Sequence, residues 1–405
     1  MAFVLEGIKV VQTASTIAGP MTGRLLADWG ADVIGVENPI RGSKYRSQYA
    51  MRQIGRAITS DIEYRSENIN RNKRDITLDL SQKEGQKIIH KMLEKADIHL
   101  SNFRPRELKK FKLEYETLSQ LNPRLICANI YGYGKKGPDK DLPGTEFTGY
   151  FARSGISHTL QMPGTPPVMN PIGMGDHMAG LALAYGIMAA LFMRERTGRG
   201  QEVDVSLFHT AVFNLSYDIG GSLVTGKDRQ PVERRDLSNP LHNSYQTKDG
   251  RWLRLAVMEA DLYWSRLCQI IEHKELEHDT RFASQKLITD NHTALFDILD
   301  EAFRSKTLDE WRVLLDEASF MWAPVQSLPE VINDPQARAN DFFVSYDHPA
   351  HGRIEVVSNP VKLSEGLETE NRPAPKFSQH TEEVLLEYGY TTEDIKQFKQ
   401  QRIIA

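Results

Sequence analysis

The opening third of the chain repeats one theme, and that theme restricts the fold more than any other feature. Residues 8–12 are a short β-type run, residues 21–29 have helical character and stop at Gly30, and residues 31–37 are a second β-type run. Strand, helix and strand in such quick succession predict a parallel βαβ unit, because a parallel partner needs a crossover and a helix supplies it. The theme continues. Residues 75–80 alternate as a strand, 83–96 repeat at helical spacing, 97–102 read as a strand, 115–121 as a helix and 125–130 as a buried strand. The expected fold class is therefore α/β, a Rossmann-like doubly wound large domain over residues 1–225. Ligand chemistry belongs at the carboxyl ends of its strands.

Near residues 224–231 the pattern breaks into a polar, charged stretch. Beyond it, residues 244–257 read as two strands joined by an Asp249-Gly250 turn, followed by helical segments to about residue 317. A smaller α+β domain is expected over 226–330. The segment 331–405 carries a hairpin signal and a final helix near 381–388, and is expected to return to the large domain.

With 405 residues, 40% apolar and 26% charged, the chain has the make-up of a soluble globular protein. A formal net charge of -4 gives no reason to expect nucleic acid or an anionic membrane as partner. Cys127 and Cys268 are the only cysteines and lack metal-ligand spacing, which fits a reducing cytoplasm and no disulfide framework. No metal site is expected. The N-terminus lacks the cationic run and apolar core of a signal peptide, and the apolar stretch 178–193 is too short for a membrane span.

Chemistry concentrates around Gly173-Met174-Gly175-Asp176-His177-Met178-Ala179-Gly180. An uncharged run follows to Met193, and Arg194-Glu195-Arg196-Thr197-Gly198 closes it. This reads as loop, helix, cationic helix end and glycine stop. It places Asp176 at or beside a helix start, either as an ordinary N-cap or as a reactive carboxylate where backbone can approach a ligand. Its neighbour His177 is expected to be peripheral. Gly132-Tyr133-Gly134-Lys135-Lys136-Gly137 matches G-x-G-x-x-G, but Pro138 and Pro143 follow and no helix opens, so a dinucleotide site is not expected there.

Basic residues recur after successive strands: Arg41 and Lys44; Arg71, Lys73 and Arg74; Arg104, Arg106, Lys109 and Lys110; Lys135 and Lys136. They read either as solvated surface or as an anion pocket suited to a phosphorylated handle such as coenzyme A. Glu146 stands beside Phe147, Tyr150 and Phe151, where a carboxylate can acquire a shifted pKa or simply be exposed or salt-bridged.

Taken together, Ala18-Gly19-Pro20, residues 28–34, Asn72-Lys73-Arg74, residues 101–105, residues 131–134, Gly175-Asp176 and residues 196–201 resemble the family III CoA-transferases (CaiB/BaiF type) in order and spacing. The resemblance covers nearly the whole chain. It implies two chains interlocked like rings, acting on acyl-CoA and carboxylate substrates with no permanently bound cofactor. It further implies Asp176 as nucleophile, with Glu146 at an acidic active-site position. Thr16, Ile17, Ala18, Arg41, Lys73, Asn102, Phe103, Lys110 and Phe111 become the coenzyme A contacts. Helix-end and glycine-loop N–H groups near Asp176 are expected to hold the oxyanions.

The likeness is greatest to the branch acting on bulky acids such as phenyllactate, 2-hydroxyisocaproate or benzylsuccinate, in anaerobic organic-acid catabolism. Tyr150, Phe151 and Met174, with Met162 and Met169, are candidate walls for such an acid. Succinyl-CoA and the CoA ester of a product acid are equal candidates as donor. Two departures stand out. Ala256-Val257-Met258-Glu259-Ala260 replaces a glycine-rich flap, and Ile17 stands where formyl-CoA members carry Gln, which speaks against oxalate-type recognition. The alternatives are a 2-methylacyl-CoA racemase, disfavoured because no His lies near Thr145-Glu146, and a non-catalytic CoA-binding subunit of a heteromer.

Overall fold

The computed structural model describes residues 3–42, 60–366 and 371–405. The first 130 residues build most of one parallel sheet. Its strands are β1 (Lys9–Gln12), β2 (Asp32–Glu37), β3 (Arg74–Thr77), β4 (Ile98–Ser101), β5 (Ile126–Tyr131) and β6 (Glu202–Ser206). Their order is β3-β2-β1-β4-β5-β6 and every pairing is parallel. The α/β reading therefore holds. Strand order reverses between β1 and β4, so the loops leaving these two strands diverge and open a crevice at their carboxyl ends.

The sixth strand was not anticipated. Glu202 to Ser206 alternates, but its two acidic side chains disguise an edge strand; Cys127 pairs with Glu202 and Tyr131 with Ser206. The Pro105–Phe111 helix was also missed, since its cations read as a basic cluster. Proline in its first turn and Glu107, which accepts the Arg104 N–H at 3.0 Å, start it. β3 ends at Thr77; Leu78 still donates its N–H to the Glu37 carbonyl of β2 at 2.9 Å, and Asp79 turns away, donating to the Ile403 carbonyl at 2.8 Å. The helix expected to reach residue 96 ends at Leu93, where Asn122 Nδ2 bonds the carbonyls of Leu93 (3.0 Å) and Ala96 (2.9 Å).

The described residues divide into two compact units. One is drawn from Met1–His158, Val168–Asp228 and Asn340–Ala405, the other from Thr159–Pro167 and Arg229–Ala339. In the first, two apolar layers cover the sheet. One contains Leu26, Ile98, Ile126, Leu183 and Ile187, so the Met174–Thr197 helix lies in the core. That helix is long and apolar enough to cross a membrane by length and composition, longer than the stretch read from sequence. Each fully buried Leu or Ile in it contributes roughly 1.5–3 kcal/mol. The other layer includes Ile76, Ile88 and, from the tail, Val384, Leu385, Phe398 and Ile404. Tail and sheet edge are also hydrogen-bonded: His380 N–H to the Asp75 carbonyl at 2.9 Å, and Ala405 N–H to Thr77 Oγ1 at 2.9 Å.

In the second unit β7 (Ser244–Gln246), β8 (Trp252–Leu255) and β9 (Trp322–Pro324) form an antiparallel sheet in that order. Its core stacks Tyr245 on Phe303 (4.9 Å), and Phe303 packs tilted against Trp311 (4.8 Å). The hairpin β10 (Phe343–His348) and β11 (Gly352–Val357) belongs to the first unit, and the last helix is Thr392–Gln400, beyond the one expected at 381–388.

Candidate active site

Asp176 is the third residue of the Met174–Thr197 helix and does not cap it. The cap position is Gly173, at φ 85°, a left-handed conformation that a residue with a Cβ rarely adopts. Gly175 is small for a different reason: a Cβ there would sit 2.5 Å from Cγ of Tyr150. Tyr150 is 2% exposed and its hydroxyl is bonded by Asn214 Nδ2, so the ring is a fixed wall behind the helix start. The far end follows expectation, with Arg194 and Arg196 in the last turn and Gly198 stopping the helix at φ 72°.

Glu146 opens a short π-type helix, Glu146–Ala152, a form that recurs at functional sites. It is neither exposed nor salt-bridged. Its carboxylate accepts the N–H of Gly173 (2.6 Å), Gly175 (3.0 Å) and Asp176 (3.4 Å). An anion thus occupies the first turn of the helix, where free N–H groups and the dipole favour negative charge. This corrects one expectation: the helix-end donors foreseen for an oxyanion are taken by Glu146. Two effects act on the Asp176 carboxyl. Burial is the larger and the Glu146 charge the smaller, and together they push its pKa up to about 7. Burial and then Arg24 hold His177 below its ordinary value, so its ring is neutral at pH 7.

The loop after β1 is pinned to the end of β4. Asn102 Oδ1 accepts the Ser15 N–H at 3.0 Å, and its Nδ2 donates to the Ser15 carbonyl (2.7 Å) and Thr16 Oγ1 (3.3 Å). Thr16 sits at φ 71°, strained for a β-branched residue. Phe103 and Phe111 pack at 5.3 Å, and the Lys110 ammonium lies 5.4 Å over the Phe111 ring. Thr16, Asn102, Phe103, Lys110 and Phe111 therefore gather at the crevice between β1 and β4. Ile17 and Ala18 are buried, leaving backbone as their contribution. The Ala18–Asp28 helix carries this loop to Asp176: Thr22 Oγ1 donates to the Gly180 carbonyl at 3.1 Å, one turn beyond Asp176. Arg41 is exposed in the turn after β2, and Lys44 lies outside the described residues.

Lys73 has its ammonium engaged inside the protein. It is buried, and its Nζ donates to the carbonyls of Pro20 and Ile69 (both 2.7 Å), Gln12 Oε1 (3.0 Å) and Asn70 Oδ1 (3.2 Å). Burial pulls its pKa well below the usual lysine range. Four of the other recurrent cations are also committed. Arg71 pairs with Asp28 (3.2 Å), Arg74 with Asp32 (2.6 Å) and Glu387 (2.7 Å), Arg104 with Glu107 (2.5 Å), and Lys135 with Glu202. Part of the basic recurrence is thus internal pairing. The aromatic candidates divide too. Tyr150 and Phe151 are buried core residues that meet edge to face at 5.1 Å. Met174 is exposed beside Asp176, whereas Met162 falls in the second unit. Ser15 and the supporting Tyr150–Asn214 pair were not anticipated; no local sequence signal marks a residue whose role is to hold another.

A half-buried carboxylate in the first turn of a helix, in a unit whose Rossmann-like sheet opens a crevice at its switch point, is the arrangement of an α/β enzyme site. The model of CoA-transferase family III matches residues 5–381. The chain is 39% identical to (R)-2-hydroxy-4-methylpentanoate CoA-transferase of Clostridioides difficile, over 99% of each chain. It is 36% identical to cinnamoyl-CoA:phenyllactate CoA-transferase of Clostridium sporogenes, over 99% of this chain and 97% of that one. A CaiB/BaiF family protein from Brucella suis superposes with a TM-score of 0.84 at 28% identity, covering 96% of this chain and all of its own. The chain belongs to CoA-transferase family III and is a CoA-transferase, with CoA thioesters as its substrates.

Proposed function

We propose that the enzyme moves coenzyme A from an acyl-CoA donor to a 2-hydroxy acid with a branched or aryl side chain, through covalent intermediates on Asp176. Similarity to the two clostridial transferases supports the substrate class. The observation that carries the mechanism is the setting of Asp176: half-buried, ionising near pH 7, and one turn before Gly180, whose carbonyl accepts the Thr22 hydroxyl of the helix that follows the loop Asn102 holds. A carboxylate of raised pKa is a stronger nucleophile than an exposed one and is still half ionised at neutral pH.

An Asp176 oxygen attacks the thioester carbonyl; the C–S bond breaks, giving a mixed anhydride and CoA thiolate. The thiolate attacks the Asp176 acyl carbon, the anhydride C–O bond breaks, and the donor acid leaves as carboxylate. The aspartyl-CoA thioester then reacts with the incoming carboxylate by the same two steps reversed. Charge balances throughout without a net proton. Thr16 to Ala18, Asn102, Phe103, Lys110, Phe111 and Arg41 bind coenzyme A in this reading; Lys73 supports the loop from beneath. Glu146 is a positioning residue. The donor is succinyl-CoA or the CoA ester of a product acid.

The active form is an assembly of two chains. Phe213, Tyr217, Leu223 and Val224 are 72–97% exposed on two consecutive helices, an apolar face of the kind that a subunit partner covers. Incubation with 4-methylpentanoyl-CoA, hydroxylamine trapping and peptide mass spectrometry test the mechanism. An adduct on Asp176 is expected, and active enzyme with no such adduct overturns the reading.

A further inference from the structure

The second unit holds a cavity of about 440 Å³, within the roughly 300–1,000 Å³ of small-molecule sites. Met162, Val232, Leu237 and Leu255 supply apolar wall, and no carboxylate lines it. Several of its polar groups are already engaged. Arg234 pairs with Asp300 at 3.1 Å and lies 4.8 Å over Phe296 and 4.9 Å over Trp252. Asn243 donates to the Arg234 carbonyl at 2.7 Å and accepts the Ser244 N–H at 2.7 Å.

Arg254 is different. On β8 it stands opposite Ser244, exposed between buried Leu253 and Leu255. Among the described residues its side chain makes no ion pair and no hydrogen bond, and the same holds for the His242 ring at the same cavity. A free guanidinium fork beside apolar wall is complementary to an anion with an apolar body, because the planar fork matches a carboxylate in two parallel hydrogen bonds. The wall formed by Met162, Val232, Leu237 and Leu255 suits an apolar body on that anion.

We propose that this cavity binds a monocarboxylic acid with a branched aliphatic or aryl body, its carboxylate on Arg254 and its body against Met162, Leu237 and Leu255. The proposal goes beyond the reaction at Asp176 and does not depend on it. Such an acid could be the substrate acid or an effector of the same chemistry.

Calorimetric titration of the full chain with 4-methylpentanoate, without any CoA ester, tests this. The neutral 4-methylpentanamide should bind about tenfold more weakly, a difference of about 1.4 kcal/mol. Arg254→Gln, at an exposed position, should weaken the acid about tenfold and leave the amide within twofold; Leu237→Trp, which fills the space, should weaken both. Asp176→Asn should leave acid binding in place. Equal acid affinity in wild type, Arg254→Gln and Leu237→Trp overturns the proposal. So does loss of binding in Asp176→Asn alone, which would put the acid at the catalytic carboxylate. In turnover, a KM for the acid raised about tenfold by Arg254→Gln identifies the substrate as occupant; an unchanged KM with lost response to added 4-methylpentanoate identifies an effector.

Discussion

Glu146 accepts the backbone N–H of Asp176 at 3.4 Å, and its charge adds to burial in raising the Asp176 carboxyl to about pKa 7. One side chain thus fixes where the helix begins and tunes what its third residue does. The arrangement ties positioning to reactivity.

Only ionised Asp176 attacks. With its pKa at about 7, kcat/KM for the acyl donor should rise with pH between 6 and 8 and level off above. Glu146→Gln removes the smaller of the two causes, so the midpoint should move to lower pH while kcat falls. A profile flat from pH 6 to 8 in the wild type would exclude Asp176 as the titrating nucleophile.

Asp176 should also cost stability. Its folded pKa lies above the ordinary 3.8, so the protein binds that proton more tightly when folded. The stabilisation is full below about pH 4 and is lost as pH rises through about 7. Asp176→Asn removes this dependence. It should be more stable than wild type at pH 8 by on the order of 2–4 kcal/mol and equal near pH 4. Its exchange activity should fall about a thousandfold or more. Denaturant unfolding at the two pH values provides the check.

Gly175→Ala forces a Cβ to within 2.5 Å of a buried ring. The expected cost is about 1–3 kcal/mol from overpacking. Activity should fall about a hundredfold, since displacement by an ångström is enough to misplace a nucleophile. Gly220, where nothing lies within 4 Å of a built Cβ, is the control: Gly220→Ala should be as stable as wild type or more so.

Asn102→Ala releases three hydrogen bonds to Ser15 and Thr16 and lets Thr16 relax from φ 71°. KM for the CoA ester should rise about tenfold with kcat changed far less, the signature of lost ground-state binding. An equal fall in kcat at unchanged KM would contradict the assignment.

Lys73 separates structure from binding. Lys73→Met leaves the Gln12, Pro20 and Ile69 acceptors without a donor, and should destabilise by about 2–4 kcal/mol. In the folded fraction, KM for the CoA ester should stay within about twofold of wild type. A large KM effect at unchanged melting temperature would restore Lys73 to the binding site.

Local patterns carried much of this protein. The strand–helix alternation to residue 130 predicted five of the six sheet strands, because period and turn residues are properties of neighbours in sequence. Arg194, Arg196 and Gly198 marked the end of the long helix for the same reason. Asp176 between small residues was legible as special. Pairing was not. That Lys73 points inward, that Arg74 meets Glu387, and that Tyr150 is a wall and not a pocket depend on which distant groups the fold brings within 4 Å.

The sequence by itself determined the fold class, the family and the acidic residue at the helix start, since each rests on short-range spacing and hydrophobic period. Tertiary structure decided the rest. Strand order opened the crevice between β1 and β4, and only the approach of the Glu146 turn to the Gly173–Asp176 turn, 27 to 30 residues apart, gave Asp176 its half-buried, like-charged surroundings. A pKa reports desolvation and charge in three dimensions, and neither is written in the order of the residues.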